Sequence, residues 1–193
     1  MRPSEISLGT FLQVGDVTQN GRGGKTASLS VKGKPLRITL RNCTTPFEVS
    51  SYDHVSDRKS LDVRANDETI AFVDRLDTEL KQYAGKVGCP ESGYTSLLKQ
   101  QKEGYAPLFR MKITITPAGK SPCKFFEAGT KRRLTDEEVA ELPWRDVEMN
   151  IMCKVTSLWT NAGRFGASAT PEAIMVKRCD ECPFTDADAD CFD

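Results

Sequence analysis

Hydrophobic positions change period several times along the chain, and each change predicts an element. Over 36–41, Leu36, Ile38 and Leu40 alternate with Arg37, Thr39 and Arg41, the pattern of a strand with one face buried and one wet. Phe47 and Val49 continue as a second strand, and Leu61 and Val63 predict a third after the polar break HVSDRKS. The period then becomes helical. Ile70, Val73, Leu76, Leu80 and Tyr83 predict one amphipathic helix over 67–84, with Asp67 as N-cap and Gly85 just past its end. Residues 86–107 read as turns, with one short helical turn at 96–101.

Alternation returns at Phe109, Met111, Ile113 and Ile115, interleaved with Arg110, Lys112, Thr114 and Thr116, and a short strand is expected at 123–127. Thr135 and Glu138 are spaced as a capping box and Leu134 and Val139 as its hydrophobic staple, so a short helix follows, ended by Pro143. Val147, Met149, Ile151, Cys153, Val155, Ser157 and Trp159 fall on one face of a long strand, and the turn TNAGRFG leads to a last strand at 173–177. The opening through Lys34 is rich in Gly, Ser, Thr and Asn and reads as an irregular arm with one short strand at 9–14. Strands without regular strand-helix alternation predict a mainly β protein: a single OB-like antiparallel barrel with two inserted helices. The expected organisation is an arm at 1–34, the barrel at 35–179 and an acidic C-terminal tail at 180–193.

Composition removes several function classes. The 193 residues suffice for one core, and 38% apolar with 28% charged residues is ordinary for a soluble globular chain. No run approaches the roughly 20 apolar residues of a membrane span, and MRPSEISLGTF lacks a signal-peptide stretch, so an intracellular protein without membrane contact is expected. Seven cysteines without framework spacing read as reduced thiols. The one histidine, His54, cannot build a multi-histidine metal site. Cys179 and Cys182 have zinc-knuckle spacing, but Cys191 and a distant thiol would have to complete four ligands, so no metal is expected. GRGGKT misses the phosphate-loop pattern because Gln19 stands at the first glycine position. Asp136, Glu137, Glu138 and Glu141 read as charges complementing a helix N-terminus rather than an acid–base pair. Neither an enzyme nor a cofactor is indicated.

The net charge of zero hides a separation. The tail, DECPFTDADADCFD, holds six acidic residues and no basic one, leaving residues 1–179 with all 27 basic residues against 21 acidic. Arg37, Arg41, Arg110, Lys112 and Lys154 lie on the wet positions of predicted strands whose other positions are apolar. A basic sheet face points to nucleic acid.

The segment LTDEEVAELPWRDVEMNIMCKVTSLWTNAGRFGASATPEAIMVK resembles the C-terminal half of the OB-fold single-stranded-DNA-binding proteins of large nucleocytoplasmic DNA viruses, related to the helix-destabilising proteins of short-tailed coliphages. Its short acidic helix, long strand ending in Leu158-Trp159, NAGRFG turn and last strand follow that family's order, and KPLRITLRNCTTPFEVSSYD resembles its first strands. The resemblance covers roughly residues 33–177. The chain departs from it at Glu48, where the family has Gly, and at SATPE (168–172), which reads as an insertion before the last strand.

The resemblance implies single-stranded DNA binding without sequence preference, by cations that neutralise phosphates and rings that stack on bases. The phosphate candidates are Arg37, Arg41, Arg110, Lys112, Lys124, Lys131, Arg132, Arg133, Lys154 and Arg164; the stacking candidates are Tyr52, Phe126, Trp159 and Phe165. Trp159 also fits a core position by its strand face, and Phe165 a ring that closes the barrel. The tail residues Asp186, Asp188, Asp190, Phe192 and Asp193 are the expected contact for replication proteins such as a DNA polymerase, at a viral replication site in host cytoplasm or nucleus, with a homodimer left open. The rival reading is a virion or scaffold interaction protein with a β domain and no DNA affinity.

Overall fold

Strand β9 (Glu148–Asn161) organises the molecule, because three other strands pair along its length: β2 (Lys25–Val31), β3 (Lys34–Thr44) and β10 (Arg164–Lys177). The computed structural model describes residues 2–6, 8, 12–19, 24–49, 58–115, 122–145 and 147–177. The main sheet runs β1 (Leu12–Gln19), β2, β3, β9, β10 and β5 (Tyr94–Thr95), and β8 (Lys124–Glu127) joins β10 near its C-terminal end. A second sheet holds β4 (Arg58–Arg64), β7 (Leu108–Thr114) and β6 (Leu98–Lys99). The fold is mainly β and OB-like, with a curled sheet and few helices. β5 and β8 pair β10 in parallel, a departure from the all-antiparallel barrel expected.

Alternation makes the core. Ile38 and Leu40 of β3, Ile151, Cys153 and Val155 of β9, and Ile174 and Val176 of β10 point inward, joined by Leu61, Val63, Phe109, Met111 and Ile113 from the second sheet. Helix α1 (Asp67–Lys81) adds Phe72, Val73, Leu76 and Leu80, each fully buried and each contributing on the order of 1.5–3 kcal/mol. Its N-cap is Asn66, one residue before the expected Asp67, and the Asn66 side-chain Oδ1 accepts from Thr69 N at 2.9 Å. The helix ends at Lys81 and is followed by the short α2 (Ala84–Val87), closed by Gly88 at φ 71°. α3 (Asp136–Ala140) has the expected capping box, with Thr135 Oγ1 accepting from Glu138 N and Glu138 accepting from Thr135 N.

Three elements differ from the sequence reading. The expected irregular arm contains two strands, β1 and β2, and Lys32 and Gly33 (φ 52° and 71°) join β2 to β3 through a two-residue turn of the kind hairpins favour. Phe47 and Val49 form no strand; the buried Thr45 bridges Arg145, and its hydroxyl bonds both backbone groups of Phe47. In place of the expected helical turn at 96–101 stands the two-residue strand β6, just after β5.

Bulges set the faces of the long hairpin. Opposite β10, Ser157 pairs Ser168 and Val155 pairs Ala169, leaving Thr156 as an extra residue. The inward alternation expected through Trp159 therefore breaks there: Leu158 is buried and Trp159 turns half outward. SATPE is no insertion, because β10 runs through it with Glu172 as the extra residue between Pro171 and Ala173. A proline within a sheet is tolerated at such a bulge.

Candidate nucleic-acid interface

Register fixes which side chains share the outer face of the main sheet. One rung holds Arg37, Lys154 and Thr170; the next holds Thr39, Met152, Ala173 and Lys124. A third holds Asn150, Met175 and Phe126, extended by Arg133 through its bridge to Phe126. Thr44, Glu148 and Lys177 form a fourth. Beyond Lys154 the Thr156 bulge returns Trp159 to this outer face, so it spans 148–159 of β9, about 36 Å along the strand at ~3.3 Å per residue.

The centre is apolar. Met152 is 40% exposed, and Met175 and Phe126 are half-buried beside it. Thioether and ring together offer polarizable surface to a flat partner. Trp159 is held by its indole N–H, which donates to Ala167 O at 3.0 Å, and its ring lies over Gly166, where an added Cβ would come within 3.2 Å of Trp159 Cζ2. The tight packing at Gly166 fixes the orientation of the ring.

Cations border this surface in two states. Arg41, Lys124, Lys131 and Arg133 are exposed and make no ion pair or side-chain hydrogen bond among the described residues. Arg37 and Lys154 share a carboxylate: Glu172 accepts from Arg37 Nε at 2.6 Å and Nη2 at 3.2 Å, and Lys154 Nζ stands 3.4 Å from its Oε1. The Arg37 hydrogen bond, then its charge and that of Lys154, hold the Glu172 carboxyl below the usual glutamate range. Arg132 is likewise occupied, by Glu138 at 2.8 Å and Glu127 at 3.5 Å.

Arg110 and Lys112 lie on the second sheet. Asp62 takes Arg110 in a two-pronged pair at 2.7 and 2.8 Å, and Lys112 donates to Ser60 Oγ at 2.7 Å. Burial, then the charges of Arg110 and Arg58, pushes the Lys112 amine below its ordinary value. Arg64 donates to Thr44 Oγ1 at 2.7 Å and so joins the outer surface of β4 to that of β3.

One candidate is corrected. Phe165 is 0% exposed, in edge contact with Tyr94, and no base reaches its face. Arg164, beside it, is exposed at the hairpin end and donates to Thr95 Oγ1 at 3.3 Å. Tyr52, His54, Cys179, Cys182, Cys191 and the tail, with Asp186, Asp188, Asp190, Phe192 and Asp193, lie outside the described residues. Among the described residues no group of His, Cys, Asp and Glu is arranged to hold a metal ion, and no helix is long and apolar enough to cross a membrane.

Met152, Met175, Glu172 and Phe47 were not named among the sequence-derived candidates. Phe47 is 51% exposed, held by Thr45 just past the end of β3. Only the Pro-Phe pair in a polar segment hinted at it, whereas alternation in β9 already sets Met152 on the wet positions with Lys154, and the pairing of β9 with β10 brings Met175 beside it.

The outer surface is thus an apolar, ring-bearing strip with a basic border on an OB-like sheet. No protein-family model and no curated protein sequence matches the chain. Among solved structures it is similar in fold to the single-stranded DNA-binding protein from bacteriophage Enc34, with a TM-score of 0.51 and 10% identity over 94% of this chain and 99% of that one. A C-terminally truncated form of that phage protein matches with the same score and identity over 86% and 95% of the two chains.

Proposed function

We propose that the protein binds single-stranded DNA without sequence preference along the outer face of β3, β9, β10 and β8, making and breaking no bond. The observation that carries this reading is the rung arrangement: Phe126, Met175 and Met152 form an apolar centre between Lys124 and Arg133, which make no ion pair among the described residues, and the cations of β3. Bases stack on rings whatever their identity, and phosphates meet the basic border, which is how strands are held without sequence readout. The shared fold with a phage single-stranded DNA-binding protein supports the same reading. Trp159, Phe126 and Phe47 are the stacking rings in this account, with Tyr52 as a fourth. Arg41, Lys124, Lys131, Arg133 and Arg164 neutralise phosphates, and Arg110 and Lys112 extend the basic surface onto the second sheet.

The setting that fits is viral DNA replication, recombination or repair. There the tail of six acidic residues competes with DNA for the basic face and, once displaced, contacts replication proteins such as a polymerase. Fluorescence-polarisation titration with a mixed-sequence single strand and its duplex tests the reading. A clear preference for the single strand supports it, because pairing hides the base faces; equal affinity reduces the protein to a polyelectrolyte binder, and no affinity favours the scaffold alternative.

A further inference from the structure

We propose that Glu172 is a built-in occupant of the DNA face, a carboxylate that holds the Arg37–Lys154 phosphate position closed until a strand displaces it. The inference rests on the single-strand reading above and deepens it. Three observations carry it.

Glu172 follows the inward-facing Pro171, so alternation puts it on the outer face, and the bulge leaves it without a partner on β9. It is the extra residue between Pro171, paired with Cys153, and Ala173, paired with Met152. Its geometry is that of an oxyanion ligand: the Arg37 fork takes both oxygens, and Lys154 on the adjacent strand approaches the same Oε1. Arginine forks bind carboxylate and phosphate in the same two-pronged manner, so a phosphate fits where the carboxylate sits. The third observation is Thr170, paired with Lys154 on the same face. Its hydroxyl oxygen is buried without a hydrogen-bond partner among the described residues. A phosphate oxygen at the Arg37–Lys154 position supplies an acceptor there once the Glu172 side chain swings out.

Occupation by Glu172 has a consequence for binding. A strand arriving at this rung exchanges one ion pair for another and releases few counterions, so Arg37 and Lys154 add little to the salt dependence in the wild type. Removing the carboxylate opens two cations to DNA.

The test is Glu172→Gln in the full chain, titrated with a fluorescent oligothymidine at several salt concentrations beside the wild type. Binding tighter by about tenfold at low salt is expected, with a log-log salt slope steeper by about 0.7–1.4, one or two extra phosphates. Affinity unchanged or weaker in a variant that melts like the wild type overturns the proposal and makes the ion pair a strand clamp. A second readout needs no substitution: the Glu172 side-chain carboxyl, followed by carbon NMR against pH, titrates higher with the strand bound if its partners have been taken. An unmoved titration in the DNA complex overturns the proposal too. A wild type that binds no single strand at any salt removes the underlying reading instead.

Discussion

Phe165 and Tyr94 meet edge to face, ring centroids 5.2 Å apart and planes at 70°, and the Tyr94 hydroxyl donates to Asp77 of α1 at 2.7 Å. This contact ties the start of β10 to the helix through β5. Phe165→Ala is therefore expected to cost about 3–5 kcal/mol of stability, the range for a buried ring, while folded protein keeps its affinity for single strands. Urea denaturation together with a binding titration separates the two effects; lost affinity in an equally stable variant would return Phe165 to the DNA site.

The same cluster predicts a pH dependence. Burial, against hydrogen bonds from Ser96 and Tyr94, raises the Asp77 carboxyl above the ordinary aspartate range. A raised folded value means that the stability linked to this group is fully present below the unfolded value and is lost as pH rises through the folded one. Between about pH 3 and pH 6 the wild type should lose stability relative to Asp77→Asn. Denaturation of both proteins across that range checks it, and parallel curves would contradict it.

Trp159 reports binding directly. Of the two tryptophans, Trp144 is buried edge-on against Phe125 at 5.9 Å, and Trp159 is half-exposed on the outer face. Single-strand binding should quench the fluorescence of Trp144→Phe and not that of Trp159→Phe. Trp159→Ala and Phe126→Ala should each weaken binding by about 1–3 kcal/mol.

Thiol chemistry checks the placement of β3, β9 and the residue that leads into β8. Burial pushes the Cys43 and Cys123 thiols up to about 12 and raises that of Cys153 as well. In native protein these three should resist alkylation at pH 8 and react only after unfolding, which peptide mapping by mass spectrometry measures. Rapid native labelling of Cys153 would contradict its place in β9.

What could be read from the chain was local. Leu36, Ile38 and Leu40 announce β3 because alternation within one strand suffices, and Thr135 and Glu138 announce α3 because a capping box closes within four residues. The inaccessibility of Phe165 depends on Tyr94, about 70 residues away, so a Gly-flanked turn alone points the wrong way. Alternation alone sets Trp159 on the inner face, against its place among the stacking candidates, because alternation cannot register a bulge fixed by the partner strand. The short strand expected at 9–14 overlaps only the start of β1, and β2 was hidden, because Gly, Ser and Thr fill positions that pairing makes into strands. The basic residues were legible as cations, but which of them were occupied by Glu172, Asp62 or Glu138 depended on strand register and on loop packing.

The central claim, that the outer face along β9 is the DNA-binding surface, is tested most directly by the methionine methyl groups. Met111 and Met149 are buried in the core, whereas Met152 and Met175 share the outer face with Phe126 and Lys124. In protein carrying carbon-13 methionine methyls, titration with a single strand should shift and broaden the Met152 and Met175 signals and leave Met111 and Met149 in place. A strand that binds while Met152 and Met175 stay unmoved would contradict the account and place the DNA on another surface.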